Sequence, residues 1–201
     1  MAEGTAPLIA AAVVLGYLLG SIPFGLLLTR IAGLGDIRSI GSGNIGATNV
    51  LRTGRKGLAL ATLLLDGGKG TVAVVAPALT QDPVIPLVTG IAAVIGHNFP
   101  VWLRFKGGKG VATTIGVMLG AAPLVGLLAC LTWGIAAALF RYSSLSALIA
   151  LALAPLYAWV LGFPNEAIAF AALGALGWAR HQANLRRLLK GEEPKIGAKG
   201  A

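Results

Sequence analysis

The run from Leu8 to Leu28 contains no charged residue and is almost entirely apolar. A helix needs roughly 20 apolar residues to cross the hydrocarbon core of a membrane, and this run meets that requirement. Further apolar runs lie near residues 57–80, 84–99, 111–140, 144–161 and 165–180. We therefore predict an all-α integral membrane protein. Residues 1–194 are interpreted as a single membrane-embedded domain, and residues 195–201 as a short, basic, flexible tail.

Composition and patterning exclude several classes of protein. The formal net charge is +9, but the cations occupy short gaps between apolar runs and do not line a solvated face, as they do in nucleic-acid-binding proteins. The apolar runs lack the alternation of apolar and polar residues that marks a transmembrane β-barrel. The first run has no basic leader and exceeds the length of a secretory signal, so we interpret it as a membrane helix.

The positions of the charges predict how often the chain crosses the membrane, because Lys and Arg are enriched in cytoplasmic loops. If residues 111–140 formed one helix, the basic tail would lie outside the cell. Ala122-Pro123 divides this segment into two helices, since proline ends or kinks a helix, and the tail then lies inside. We therefore predict a bundle of seven transmembrane helices, with the N-terminus outside and the C-terminus inside. Lys69 is then the one Lys or Arg inside the membrane. Residues 111–122 are too short to span the bilayer, so the loop before them is predicted to dip into it.

This topology places three polar stretches on the cytoplasmic face, at residues 39–56, 97–114 and 180–193. In the first stretch Ser42, Asn44 and Asn49 alternate with small residues, and Arg52 follows. Hydroxyl, amide and backbone N–H groups suit an anion, and an arginine can hold a phosphate through two parallel hydrogen bonds. The alternative is an ordinary polar loop whose Ser and Asn side chains cap turns.

The second stretch contains the run Phe105-Lys106-Gly107-Gly108-Lys109-Gly110. Its glycines let the backbone turn N–H groups inward and its lysines add positive charge, so we predict a phosphate-binding loop. Thr113 and Thr114 open the next apolar run, so we expect a helix N-terminus to point at the same spot. The run is not a Walker A motif, because Gly110 follows Lys109 where that motif has Ser or Thr. The alternative is a positive-inside anchor, which needs the lysines but not the glycines.

Two further pairs of polar residues are candidates. If the last helix continues past Arg180, His181 and Asn184 lie on one face of it. Asp66 and Lys69 are one turn apart inside an apolar helix, where ionisable groups are expensive and usually functional. They either bind substrate or only neutralise each other. We interpret His97, at the end of an apolar segment, as a hydrogen-bonded capping group.

These stretches closely resemble a bacterial family, the acyl-phosphate:glycerol-3-phosphate acyltransferases that start phospholipid synthesis. Three family signatures match: Ser42-Gly43-Asn44-x-Gly46-Ala47-x-Asn49, the run from Gly96-His97 through Thr113, and His181-x-x-Asn184 with Glu192 or Glu193 downstream. The resemblance extends from near residue 16 to residue 193. It implies an inner-membrane protein of seven helices with its signatures on the cytoplasmic side.

The resemblance implies that a fatty acyl group moves from acyl phosphate to the 1-hydroxyl of glycerol 3-phosphate. The products are 1-acyl-glycerol 3-phosphate (lysophosphatidic acid) and phosphate. The family residues that matter for activity map onto Ser42, Arg52, His181 and Asn184, and the glycines that bind glycerol 3-phosphate map onto Gly107, Gly108 and Gly110. We predict that the substrate-binding set also includes Asn44, Asn49, Lys106, Lys109, Asp66 and Lys69. We expect direct transfer without an acyl-enzyme, with His181 or a substrate phosphate oxygen as the base.

Two other classes of membrane protein stay as alternatives. A phosphate-ester transporter would also use cationic loops at a broken helix, but Asp66 and Lys69 are too few for a polar path. A CDP-alcohol phosphatidyltransferase would need several membrane-level aspartates and a divalent metal, and only Asp66 qualifies. The lone Cys130 and the separated His97 and His181 give no metal-ligand spacing, so we predict no metal and no cofactor. The predicted partners are the two small-molecule substrates and membrane lipid, with no nucleic acid and no obligatory protein partner.

Overall fold

The structure, a computed structural model, describes residues 5–80 and 82–197. Those residues form α-helices and short 3-10 helices without a β-strand, which confirms the all-α prediction. The α-helices are α1 (Thr5–Gly20), α2 (Phe24–Ile31), α3 (Ala47–Leu51), α4 (Lys56–Val75), α5 (Val84–Asn98), α6 (Val111–Ala121), α7 (Pro123–Phe140), α8 (Ser143–Val160), α9 (Pro164–Arg180) and α10 (Gln182–Leu189). The 3-10 helices are Ile37–Ser39, Pro77–Thr80 and Val101–Leu103. Glu3, Gln81, Lys199 and the last residues of the predicted tail lie outside the described part of the chain.

Five helical segments among the described residues are long and apolar enough to cross a membrane: Ala6–Ile31, Lys56–Thr80, Val84–Leu103, Pro123–Phe140 and Ser143–Val160. Helix α6 is apolar but shorter, and α9 has 17 residues. Helix α6 ends at Ala121 and α7 begins at Pro123, as the proline predicts. The protein is therefore a multi-pass membrane protein; the count of seven crossings and the orientation stay predictions.

The outer faces of these helices carry large apolar side chains. Leu15, Leu64 and Val160 are 66%, 64% and 82% exposed. Leucine and valine in such positions are disfavoured in water but suit lipid, where the hydrophobic effect no longer drives them inward. The exposure pattern agrees with the membrane prediction from hydropathy.

The first apolar run is interrupted where the sequence predicts continuous hydropathy. Helix α1 ends at Gly20 and α2 begins at Phe24, with Pro23 as the residue before it. Proline has no backbone N–H, so the α-helical hydrogen bonding cannot pass through this point. The interruption leaves the Ile22 carbonyl oxygen able to accept from the Lys69 ammonium at 2.8 Å.

The chain divides into two compact units, one ending at Ala121 and the other beginning at Ala122. In the first unit α4 packs against α6 and α1 packs against α5. Both pairs approach closely at glycines: a Cβ at Gly116 would overlap the Gly67 carbonyl oxygen, and a Cβ at Gly20 would overlap that of Ala93. Small residues at helix contacts are the usual way for membrane helices to gain van der Waals packing.

In the second unit α8 packs against both α7 and α9. The Thr132 and Tyr157 hydroxyls lie 2.9 Å apart between α7 and α8, and the Trp178 indole N–H donates to the Leu148 carbonyl at 3.2 Å between α9 and α8. The backbone N–H of Ile196 donates to the carbonyl of Arg141 at 2.7 Å. The described part of the predicted flexible tail is therefore hydrogen-bonded to the turn between α7 and α8.

Candidate functional site

The first polar stretch folds as a loop over a small apolar core in the first unit. Leu26, Ile37, Ile45, Val50 and Ala59 are all buried together there, and Leu58 and Leu103 pack against them. The core joins α2, α3 and α4 to the loop, because its residues come from all of these segments. The apolar residues interspersed in the polar stretch thus give the loop a defined conformation.

Asn49 holds this loop together with its side-chain amide. Its Oδ1 accepts from the backbone N–H of Ser42 at 3.1 Å and from the Ser42 hydroxyl at 3.3 Å. Its Nδ2 donates to the carbonyl oxygens of Asn44 at 2.8 Å, Ile37 at 2.9 Å and Ile40 at 3.2 Å. Asn49 is only 2% exposed. The Asn49 side chain thus holds Ser42 in place, and a part for Asn49 in substrate binding stays a prediction. Asn44 is half-buried, and its Oδ1 accepts from Gly46 N–H at 3.1 Å.

Arg52 is an exposed cation of this loop and lies at the end of α3. Arg30 and Arg38 both bond to Asp36, and the Arg38 guanidinium holds the pKa of that carboxyl well below its usual range. Among the described residues none forms an ion pair with Arg52. Its guanidinium lies against the backbone of Gly41, where a Cβ would be 2.6 Å from Nη1. An exposed, unpaired guanidinium beside an exposed serine hydroxyl suits an anionic ligand.

The glycine-lysine loop is folded back onto the end of α5. The backbone N–H of Gly107 donates to the Asn98 carbonyl at 3.2 Å, and that of Gly108 donates to the His97 carbonyl at 3.0 Å. Arg104 and Phe105 lie in the left-handed region, with φ of 52° and 62°, and turn the chain. Two of the amides predicted to face a phosphate therefore close the loop instead. A role for Gly107 and Gly108 in binding substrate stays a prediction.

The far end of the loop keeps the features of an anion site. Helix α6 starts at Val111, directly after Gly110, and the first amides of a helix have no acceptor within it. Gly110 has φ of 80°, a conformation open to glycine. Lys106 is exposed and Lys109 half-buried. The helix N-terminus expected beside this loop is therefore present, with Thr113 buried within its first turn.

Asp66 and Lys69 are buried deep in the first unit. They are 2% and 4% exposed, and Lys69 Nζ lies 2.8 Å from Asp66 Oδ1. His97, also 4% exposed, lies with Nδ1 3.6 Å from the same carboxylate oxygen. These contacts show the two side chains paired with each other, and a direct contact of either one with substrate stays a prediction.

The third polar stretch lies in the second unit, at a break between two helices. His181 follows the end of α9 and precedes α10, so the last helix does not continue as one helix through these residues. Both His181 and Asn184 are buried, at 2% and 4% exposure. His181 Nδ1 lies 2.7 Å from the Gly177 carbonyl oxygen. Since a carbonyl only accepts, this contact requires the proton on Nδ1, and a neutral ring then has its lone pair on Nε2.

The Glu193 carboxylate accepts hydrogen bonds from three side chains of the second unit. Its Oε1 accepts from the Asn184 amide and from the Ser144 hydroxyl, both at 2.6 Å, and its Oε2 accepts from Arg187 Nε at 2.7 Å. Glu192, which the sequence left as an equal candidate, is exposed. Burial raises the pKa of the Glu193 carboxyl, but the hydrogen bonds from Ser144, Asn184 and Arg187 outweigh burial, and the pKa lies below its ordinary value.

We expect Glu193→Ala to destabilise the protein by about 1–3 kcal/mol, because it strands the buried amide of Asn184. The measurement is the free energy of unfolding in detergent across pH, with Glu192→Ala as the matched control. A carboxylate with a lowered pKa contributes stability above its ordinary pKa of 4.5 and loses it as pH falls through the lowered value. The gap between wild type and Glu193→Ala is therefore expected to close in acid. A gap that is constant with pH would contradict the assignment.

A family model described as glycerol-3-phosphate acyltransferase matches residues 10–191. The chain belongs to the glycerol-3-phosphate acyltransferase family. A glycerol-3-phosphate acyltransferase of Rhodospirillum rubrum is 66% identical over 192 residues, covering 92% of this chain and 89% of the relative. One of Paramagnetospirillum magneticum is 65% identical and covers 95% of each chain. The resemblance predicted from the three signatures is thereby confirmed.

Two solved structures agree with the family assignment in three dimensions. Both are crystal structures of PlsY (YgiH), an integral membrane glycerol 3-phosphate acyltransferase, one in its glycerol 3-phosphate form and one in its lysophosphatidic acid form. The first superimposes with a TM-score of 0.88 at 40% identity, covering 94% of this chain and 96% of the other. The second gives 0.86 at 39% identity, covering 94% and 95%. The fold of this family member is therefore that of PlsY.

Three features of the site have only a weak signal in the sequence. Ser144 looks like an ordinary serine at a helix start, yet it bonds to Glu193 across the second unit. His97 looks like a capping residue, yet its ring faces Asp66. Asn98 is fully buried beside the loop, and its side-chain amide has no partner among the described residues. Each depends on a neighbour distant in the chain, which local pattern does not show.

Proposed function

We propose that this protein transfers a fatty acyl group from acyl phosphate to the 1-hydroxyl of glycerol 3-phosphate, as the first acylation step of phospholipid synthesis. The observation that carries the proposal is the likeness to a PlsY structure in its glycerol 3-phosphate form over 94% of this chain. Arg52 and the loop ending at Gly110 add local support, since both offer positive groups to a phosphate. The protein would act in the bacterial inner membrane with its reactive groups on the cytoplasmic face.

The choice of donor rests on the chemistry that the chain lacks. Other glycerol-phosphate acyltransferases use a His-x-x-x-x-Asp pair, but the fifth residue after His97 is Trp102 and after His181 it is Arg186. No carboxylate is spaced to orient either histidine in that way. An acyl phosphate is a mixed anhydride with a good leaving group, so the attacking hydroxyl needs little activation. Because the hydroxyl needs less activation to attack an acyl phosphate than to attack a thioester, the missing pair supports acyl phosphate as the donor.

The transfer is proposed to be direct, with the glycerol hydroxyl attacking the acyl carbon and inorganic phosphate leaving. Arg52 and Lys109 neutralise the leaving phosphate and the oxyanion that develops in the transition state. Ser42 and Asn44 orient the glycerol 3-phosphate hydroxyl. Asn184 keeps its predicted catalytic role. Arg52 supports this assignment because it is exposed and has no acidic partner among the described residues.

His181 is the stronger candidate for the general base. Its Nδ1 contact with the Gly177 carbonyl places the proton on that nitrogen, which leaves Nε2 as the basic atom of the neutral ring. Base catalysis by a positioned histidine contributes roughly 100- to 10,000-fold to a rate. A substrate phosphate oxygen is the other candidate for the base. If it is the base, replacing His181 is expected to cause only a small loss of activity.

The deciding assay mixes the purified protein with acyl phosphate and glycerol 3-phosphate in detergent or lipid vesicles and follows the release of inorganic phosphate. We expect release that depends on both substrates, with lysophosphatidic acid formed in equal amount. Release that stays at background would refute the acyltransferase proposal. Equal formation of lysophosphatidic acid from acyl-CoA and glycerol 3-phosphate would exclude acyl phosphate as the specific donor.

A second arm of the same experiment tests direct transfer. The protein is mixed with acyl phosphate labelled in the acyl chain, without glycerol 3-phosphate, and separated under denaturing conditions. Direct transfer predicts no label on the protein. Label that stays bound and is then released by added glycerol 3-phosphate would establish an acyl-enzyme.

A further inference from the structure

Asp66 on α4 is a carboxylate with two basic neighbours, and these lead to two different polar stretches. Lys69 Nζ lies 2.8 Å from Asp66 Oδ1, and His97 Nδ1 lies 3.6 Å from the same oxygen. All three residues are at most 4% exposed. Ionisable groups inside a membrane protein are costly and persist where they pair and serve a role. The two neighbours of Asp66 suggest what that role is.

The first neighbour, Lys69, is tied to the interruption between α1 and α2. Its ammonium donates to the Ile22 carbonyl at 2.8 Å and lies 5.5 Å from the centre of the Phe24 ring. One residue further, α2 contacts the first polar stretch directly, because a Cβ at Gly25 would overlap the Ile45 carbonyl oxygen. Lys69 thus fixes the segment against which the loop carrying Ser42 is packed.

The second neighbour, His97, is tied to the glycine-lysine loop. Its carbonyl accepts from Gly108 N–H at 3.0 Å. The ring itself lies against the same glycine, since a Cβ at Gly108 would overlap His97 Nε2 and lie 2.9 Å from Cδ2. The orientation of the ring therefore limits where Gly108 can lie. Asp66 Oδ1 lies 3.6 Å from Nδ1, so the ring lies between the carboxylate and Gly108.

We propose that Asp66, Lys69 and His97 are positioning residues. Through the shared carboxylate of Asp66 they hold the first polar stretch and the glycine-lysine loop in fixed positions relative to each other. The proposal rests on the proposed function, because it assigns the stretches to the two parts of that reaction. The His97 side governs the loop that binds glycerol 3-phosphate. The Lys69 side governs the stretch with Ser42 and Arg52, which orients the attacking hydroxyl and neutralises the leaving phosphate in the chemical step. None of the three need touch substrate.

The test is a split between KM and kcat in three single variants, each measured in the phosphate-release assay. Since small displacements of binding and reacting groups cost one to two orders of magnitude, we expect His97→Gln to raise KM for glycerol 3-phosphate about tenfold with kcat within about threefold. Lys69→Met is expected to lower kcat about tenfold with little change in that KM. Asp66→Asn is expected both to raise KM for glycerol 3-phosphate and to lower kcat. Binding of glycerol 3-phosphate, measured by calorimetry, is expected to follow KM.

Thr89→Val is the matched control for removing a buried polar group. Thr89 is 4% exposed on α5, and its hydroxyl donates to the Ile85 carbonyl of its own helix at 2.7 Å. We expect wild-type kcat and KM from it. If Asp66→Asn folds poorly, the double variant Asp66→Asn with Lys69→Met removes both charges, so that no buried ammonium is left without its carboxylate. That double variant is expected to show the combined defect.

A purely structural role for the three residues gives a different result. The variants would then lose yield and melting temperature, while the folded fraction kept wild-type KM and kcat, and this outcome would overturn the proposal. The same would follow if His97→Gln and Lys69→Met changed KM and kcat in the same proportion. Wild type that releases no phosphate would instead refute the proposed function, so the two failures are distinguishable.

Discussion

Replacing Arg52 by alanine is expected to lower kcat by about 100- to 1,000-fold, the usual cost of removing one preorganised group that stabilises transition-state charge. Arg52 is exposed, and none of the described residues forms an ion pair with it. Its loss therefore strands no partner, and the fold is expected to keep its melting temperature. The measurement is kcat for phosphate release beside the thermal unfolding midpoint.

Two companion variants make this prediction specific. Arg55→Ala removes a neighbouring exposed arginine that precedes α4, and it is expected to behave as wild type. Arg52→Lys keeps the charge but loses the planar, two-pronged geometry, so we expect it to recover only part of the activity. Full activity in Arg52→Ala would show that the leaving phosphate is stabilised elsewhere.

Gly108→Ala is expected to raise KM for glycerol 3-phosphate by about 10- to 100-fold, because shifts near 1 Å in a binding element cost activity on that scale. The added methyl would overlap His97 Nε2, and that ring is buried and faces Asp66. The ring cannot turn away without leaving the carboxylate, so the loop must move instead. The measurement is KM for each substrate, with KM for the acyl donor expected to change less.

Gly68→Ala is the matched control for this change. Gly68 lies inside α4, two residues after Asp66, and a Cβ there meets no atom within 4 Å. Alanine is the better helix former, so we expect stability to be unchanged or to rise by about 0.5–1 kcal/mol. If both alanine variants bind glycerol 3-phosphate as wild type does, the loop does not set the affinity.

Local signals in the sequence account well for the helical segments. Long, predominantly apolar runs predicted the membrane helices, and Ala122-Pro123 predicted the end of α6 and the start of α7. These predictions depend on hydropathy and on backbone chemistry within a few neighbouring residues. The interruption at Pro23 carried the same proline signal but lay inside a continuous apolar run, and hydropathy alone passed over it.

The individual roles within the polar stretches were harder to predict. Glycines that close a loop and glycines that present amides to a phosphate look alike in sequence, so the sequence did not show that the N–H groups of Gly107 and Gly108 bond to the end of α5. Asn49 was placed in the substrate-binding set with its neighbours, yet it is buried and holds Ser42. In each case the deciding acceptor or donor comes from packing, which residue type does not reveal.

The sequence by itself determined the helical membrane class, the family and the positions of its three signatures, because those properties belong to contiguous residues. Only the tertiary structure decided which groups meet. It joined Glu193, and not Glu192, to Asn184 and Ser144, and it placed His97 against both Asp66 and Gly108. Such pairings join residues far apart in the chain. They depend on how the helices pack within each unit, and hydropathy and local propensity do not specify that packing.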